Sequence, residues 1–285
     1  MDIGVFSINP TAAADPVVIA KRAEELGFES YWVPDHPIFP VGGEKEYPGA
    51  DPGEGALDFL ANMPDPLMVL ARAGAVTTTL KLGTGIYLVP ERHPIISAQQ
   101  MATLDDATHG RFLLGIGAGW NRVECEMLGG NFAHRWGQPK DFIAAMRVLW
   151  QDEEAEYQGK YVEFTPVKCY PKPARKAGPP VLVGGSSSPY VYRRVAEWGD
   201  GWIPLIADLA AFRAGMDKLK RACDAVGRDV GTLDITVFGS FGQWHTGEEI
   251  AALEQAGANR VTLWINAFDA EQTLNEMESL ARDLL

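Results

Sequence analysis

Short apolar runs alternate with segments of helical periodicity along almost the whole chain, and this alternation restricts the architecture more than any other feature. Ile3–Ser7 reads as a first strand, followed by a helix with Asp15 at its N-cap, Pro16 in the first position and Gly27 as its stop. Tyr31–Pro34 reads as the second strand, then a Gly/Pro-rich loop over 37–64 and a helix from Asp65-Pro66. Leu80–Val89 is the third strand with a helix over Pro94–Ala107, and Arg111–Ile116 is the fourth. Val181–Val183 and Trp202–Pro204 follow, with helices over Pro189–Trp198 and Leu209–Val226. Leu233–Phe238 and Arg260–Ile265 complete the strands, with helices near Glu248–Ala256 and Ala270–Leu284.

Eight such units with short strand-to-helix connections predict a parallel sheet closed on itself. The fold class is α/β, a (β/α)8 TIM barrel, with a doubly wound open sheet as the alternative. Residues 1–285 form one domain in this reading, with insertions after strand 2 and strand 4. The second insertion, over 121–178, carries a helix ending near Trp150 with Phe142, Ile143, Met146 and Leu149 on one face. Tyr161–Phe164 and Cys169–Pro171 within it read as strands.

The formal charge of −13 disfavours nucleic acid and anionic membrane as partners. Three widely spaced cysteines, Cys125, Cys169 and Cys223, predict no disulfide framework and suit a reducing compartment. The start, Met1-Asp2-Ile3-Gly4, does not read as a signal peptide, and no segment reaches the apolar length of a membrane span. A cytoplasmic protein acting on a small molecule is the expectation.

In a barrel of this class the chemistry sits at the C-terminal ends of the strands. The second strand ends in Pro34-Asp35-His36, the third passes through Thr84-Gly85-Ile86, and the fourth ends in Gly117-Ala118-Gly119-Trp120-Asn121. The fifth ends in Gly184-Gly185-Ser186-Ser187, directly before a helix. Glycine turns and a helix N-terminus there offer amides and a positive dipole end to a phosphate, although Gly-Gly also makes a plain tight turn. Glycines at neighbouring strand ends let a flat ring approach the backbone, or merely relieve crowding at the rim. His36 is the acid/base candidate, with Asp35 to orient it or to hold a polar edge of a ligand; a loop cap and a solvated turn residue are the plainer roles. No histidine–carboxylate spacing reads as a metal site, and no Gly-x-Ser-x-Gly elbow is present. Trp120, Trp202, Trp244 and Trp264 wall a pocket or fill core. Arg193 and Arg194 read as a solvated helix face, with contact of one of them to an acidic group of a ligand as the alternative. Phe39, Tyr47 and Phe59 of the 37–64 loop shape the pocket or a lid.

Taken in order, Pro34-Asp35-His36, Leu82-Gly83-Thr84-Gly85-Ile86, Gly110-Arg111-Phe112 through Gly119-Trp120, Pro180–Ser187 and Trp198–Trp202 resemble the luciferase-like monooxygenase superfamily. Within it they resemble the branch that uses the deazaflavin coenzyme F420. The resemblance implies a ring in the barrel mouth, backed by a non-proline cis peptide at Gly85-Ile86. It implies ring contacts from Asp35, Thr84, Gly85, Ile86, Gly117, Ala118 and Gly119, and a phosphate on Gly184, Gly185, Ser186 and Ser187. His36, paired with Asp35, becomes the catalytic proton donor or acceptor. Relatives are often dimers, so a homodimer is implied. The tryptophan and glutamate that sugar-phosphate relatives carry have no match here, where Gly119-Trp120 stands in place of the glutamate. The implied activity is hydride transfer between the deazaflavin C5 and a small organic substrate. Oxygenation with reduced FMN and dioxygen is the alternative, and ring binding without turnover a third.

Overall fold

The computed structural model describes residues 1–8, 14–47, 57–185, 188–240, 242–265 and 269–285. The strands, in chain order, are β1 Asp2–Phe6, β2 Ser30–Val33, β3 Lys81–Thr84, β4 Tyr87–Leu88, β5 Phe112–Gly117, β6 Ala155–Gln158, β7 Glu163–Val167, β8 Val181–Gly184, β9 Gly201–Ile203, β10 Asp234–Phe238 and β11 Arg260–Trp264. All barrel pairings are parallel. They run β1–β2–β3–β5–β8–β9–β10–β11 and close by β11 onto β1, with Asp2 opposite Arg260 and Phe6 opposite Trp264. The open-sheet alternative is therefore excluded.

The helices are α1 Pro16–Leu26, α2 Pro66–Gly74, α3 Pro94–Ala107, α4 Arg122–Met127, α5 Gly137–Gln151, α6 Pro189–Trp198, α7 Leu209–Ala225, α8 Gly247–Gln255 and α9 Ala270–Leu284. Four of them start on proline, whose missing N–H costs nothing in the first turn. Asp15 and Asp65 accept the orphan amides of α1 and α2, and Gly27 ends α1 at φ 95°, where a β-carbon would be strained. Among the described residues, no helix is long and apolar enough to cross a membrane.

Period-two alternation divides each barrel strand between two apolar layers. Val5, Tyr31, Val33, Leu114, Ile116, Val183, Val237 and Leu263 face the helices, whereas Phe6, Trp32, Leu113, Leu182, Ile203 and Phe238 fill the barrel. Glycine makes room for the largest of these: a β-carbon on Gly83 would lie 2.1 Å from the Trp32 ring. The closed end of the barrel is plugged by Arg260, only 2% exposed, which binds Glu29 (2.8 Å) and Asp234 (2.9 Å).

Four expectations are revised, while the cis peptide implied at Gly85-Ile86 is present. The third strand is broken: β3 stops at Thr84, Gly85-Ile86 is a non-proline cis peptide, and β4 resumes beside the upper part of β5. In the second insertion, α5 serves as a barrel helix beside α3, where Trp150 Nε1 donates to Ala98 O at 2.9 Å. The strand expected over Tyr161–Phe164 starts two residues later, as β7 paired with β6. Its first two residues are held in the turn instead, because the amides of Tyr161 and Val162 donate to the Asp141 carboxylate of α5. Cys169–Pro171 forms no strand; Tyr170-Pro171 is a cis peptide there.

Candidate active site

A cavity of about 420 Å³ opens at the C-terminal ends of the barrel strands. One part of the lining is rich in glycine, with Gly85, Gly117, Gly119, Gly184 and Gly185 beside Ala118 and Ile86, whose side chain lies against Gly117 and Gly184. The opposite surfaces are apolar and aromatic, with Phe6, Phe59, Trp120, Trp136, Phe238 and Trp264 among them. Asp35 and His36 bring the charged or titratable side chains of this lining. Of the four tryptophans expected at strand ends, Trp120 and Trp264 line the cavity. Trp202 instead packs outward against Tyr192 and Phe212, and Trp244 is buried in core. From the long loop, Tyr47 and Phe59 line the cavity, while Phe39 packs against Trp120.

Asp35 is 3% exposed and already satisfied. Arg92 grips both carboxylate oxygens, Nη1 to Oδ2 at 2.6 Å and Nη2 to Oδ1 at 2.8 Å, and the Leu88 amide donates to Oδ2 at 2.9 Å. A bidentate charge-assisted pair of this kind fixes geometry. Asp35 thus fastens the end of β2 to β4 beyond the cis peptide and does not touch the His36 ring. It orients the site from behind, while its oxygens are committed elsewhere.

The partner of His36 is Glu124, with Nδ1 and Oε2 at 2.7 Å. Glu124 is fully buried in the first turn of α4, where Asn121 caps the helix by accepting the Glu124 amide at 3.0 Å. Sequence reading stopped at Trp120-Asn121, yet a capping asparagine with an acid three residues on was the available signal. With Nδ1 held by the carboxylate, Nε2 is the ring nitrogen left for a molecule in the cavity. Phe39 and Trp120 surround the imidazole, with ring centroids 6.4 and 5.5 Å away.

Glu91 was also missed. It follows β4, is 4% exposed, and neither carboxyl oxygen has a hydrogen-bond partner among the described residues. Burial, reinforced by the charges of Glu124 and Asp35, pushes its pKa up to about 9, so it carries a proton at neutral pH. A β-carbon on Gly119 would fall 2.8 Å from Glu91 Oε1. Gly119 therefore makes room for this acid as well as lining the cavity.

The other strand-end glycines have similar double duties. A β-carbon on Gly117 would overlap Ile86 at 1.9 Å, and one on Gly85 would lie 2.4 Å from Phe238. Relief of internal crowding accounts for both. Thr84 departs from its expected ring contact. Its hydroxyl donates to Gly115 O at 2.7 Å inside the barrel wall, stapling β3 to β5. Gly185, at φ 124°, has its amide spent on Ile203 O (3.1 Å) and its carbonyl on Trp202 Nε1 (2.6 Å). It shapes the turn and leaves no free donor of its own; Ser186 and Ser187 lie outside the described residues. Among the described residues, no group of three or more His, Cys, Asp or Glu is arranged to hold a metal ion.

A (β/α)8 barrel whose mouth joins a glycine-rich wall to a part-buried histidine–carboxylate pair offers a ligand cavity beside a titratable group. The chain belongs to the luciferase-like monooxygenase family, whose model matches residues 1–281, and it is an oxidoreductase of that family. An uncharacterized protein of Mycobacterium tuberculosis is 34% identical over 209 residues, which cover 73% of this chain and 74% of that protein. An F420-dependent glucose-6-phosphate dehydrogenase of Amycolatopsis mediterranei is 31% identical over 193 residues, covering 66% of this chain but 52% of that enzyme. The monooxygenase RslO1 of Streptomyces bottropensis shares the fold at a TM-score of 0.77 and 20% identity, over 100% of this chain and 98% of its own.

Proposed function

We propose that the chain is an F420-dependent oxidoreductase that moves a hydride between the deazaflavin and a small organic substrate. The observation that carries this reading is the cavity itself, with a glycine-rich wall on one side and His36, backed by Glu124, at its rim. The 31% identity to an F420-dependent dehydrogenase supports the choice of cofactor. Ile86, Gly117, Ala118 and Gly119 would hold the ring, and the segment joining Gly185 to α6 its phosphate. The bound deazaflavin supplies the hydride at C5.

The chain's own residues supply the remainder. His36 gives or takes the proton at Nε2, and Glu124 holds the ring by Nδ1 at 2.7 Å. Asp35 and Arg92 fix the backbone on which Ile86 sits. The aromatic surfaces exclude water and leave polar selection to few groups, which suits an uncharged substrate. Binding titrations with F420 and with FMN, followed by tryptophan fluorescence, test the proposal. Micromolar binding of F420 with much weaker FMN binding is expected. The reverse preference refutes the deazaflavin assignment in favour of oxygenation with FMN, and binding of neither refutes both.

A further inference from the structure

Beside the cavity stand two arginines that have no acidic partner among the described residues. Arg194 lies on α6, which begins just after the Gly184-Gly185 turn, and its guanidinium carbon is 4.2 Å from the ring centroid of Trp136. Trp136 lines the cavity. Among the described residues, Arg194 makes no ion pair and no side-chain hydrogen bond; by contrast, its neighbour Arg193 pairs with Glu197 at 2.5 Å. Arg135 precedes Trp136 and sits 3.9 Å above the Phe132 ring. Its Nη1 donates to Phe132 O at 3.0 Å, and its Nε is shielded from solvent with no partner among the described residues. Both side chains are half-buried.

This is an unusual place for uncompensated positive charge. The chain carries 38 acidic residues against 25 Lys and Arg, so most cations can find a carboxylate. Arg122, also over the Phe132 ring at 4.7 Å, has done so with Glu126 at 3.2 Å. Arg135 and Arg194 instead feel each other: burial first, and then the charge of Arg135, lowers the pKa of Arg194. Two like charges, each stacked on its own aromatic ring and neither paired with a carboxylate among the described residues, match carboxylate or phosphate recognition.

We infer that Arg135 and Arg194 form a rim subsite for carboxylates that a deazaflavin cofactor carries beyond its phosphate. This rests on the deazaflavin reading above. A cofactor with its phosphate at the segment before α6 would lead its anionic tail past Trp136 to the two guanidinium groups. FMN ends at its phosphate and has nothing to place there, so the subsite selects for the deazaflavin by charge.

The experiment compares Kd for F420 bearing its glutamyl tail with Kd for the same deazaflavin ending at the 5′-phosphate. It uses the wild-type chain and the Arg135→Gln/Arg194→Gln variant. The wild type is expected to prefer the tailed cofactor by about tenfold, a value suited to two partly exposed ion pairs. The variant loses this preference while its Kd for the tail-free form is unchanged. In the wild type, raising salt from low to physiological strength weakens binding of the tailed form more than that of the tail-free form. Equal wild-type affinity for the two ligands overturns the subsite alone, as does a variant weakened equally toward both. Failure of the wild type to bind either ligand overturns the deazaflavin reading, and the subsite with it.

Discussion

Glu91 offers the sharpest test of the buried polar cluster, and the perturbation is Glu91→Gln. The folded chain raises this carboxyl from 4.5 to about 9, chiefly by burial and then by the charges of Glu124 and Asp35. Between those values the folded protein holds a proton that the unfolded chain has released, so stability falls as pH rises. One proton costs about 1.4 kcal/mol per pH unit, or about 2.7 kcal/mol from pH 6 to pH 8. Glutamine has nearly the same shape and no proton to lose. Any constant cost of burying its amide is the same at both pH values and cancels. Equilibrium urea unfolding of ligand-free wild type and variant, at pH 6 and pH 8 and fixed ionic strength, should therefore show the stability difference moving toward the glutamine form by that amount. A difference that stays constant with pH, or moves toward glutamate as pH rises, refutes the argument, since Glu91 would then be ionised in the folded state.

Arg92→Ala removes the counterion of Asp35, whose side chain is 1% exposed, and should cost about 3–5 kcal/mol through an uncompensated buried charge. Thermal unfolding measures this, and adding Asp35→Asn should recover part of the loss. His36→Ala should cut kcat by about 100-fold or more with cofactor affinity nearly intact, the ordinary worth of a general acid or base. Glu124→Gln should lower kcat less than His36→Ala does, with cofactor Kd nearly unchanged, because the ring loses the carboxylate that holds Nδ1 at 2.7 Å. An unchanged kcat would refute the positioning role.

The individual elements were legible because their signals are local. Proline in the first helical position with Asp15, Asp65 or Ser188 before it marks where α1, α2 and α6 begin. Val-Leu-Val runs ending in glycine mark buried strands. The position of His36 at a strand end was equally local. The break in the third strand between Thr84 and Tyr87 and the one-proline turn at Tyr170-Pro171 are backbone choices; the first was expected only through family resemblance, and the second was missed. The β6–β7 hairpin was half missed because one of its edges is set by Asp141, twenty residues away from Tyr161.

What the sequence by itself determined about this protein is the order of strands and helices, the closed barrel they build, and the rim on which its chemistry is collected. Period and punctuation are properties of neighbouring residues, and they survive without a folded chain. Which polar groups meet at that rim was decided only by tertiary structure. Closure of the barrel brings Glu124 to His36 across 88 positions and Arg92 to Asp35 across 57. It also buries Glu91 beside them with no hydrogen-bond partner among the described residues, and sets Arg135 and Arg194 near Trp136 with no carboxylate among those residues. Burial and pairing set the charge of each group, and both depend on residues that approach one another only when the sheet has closed.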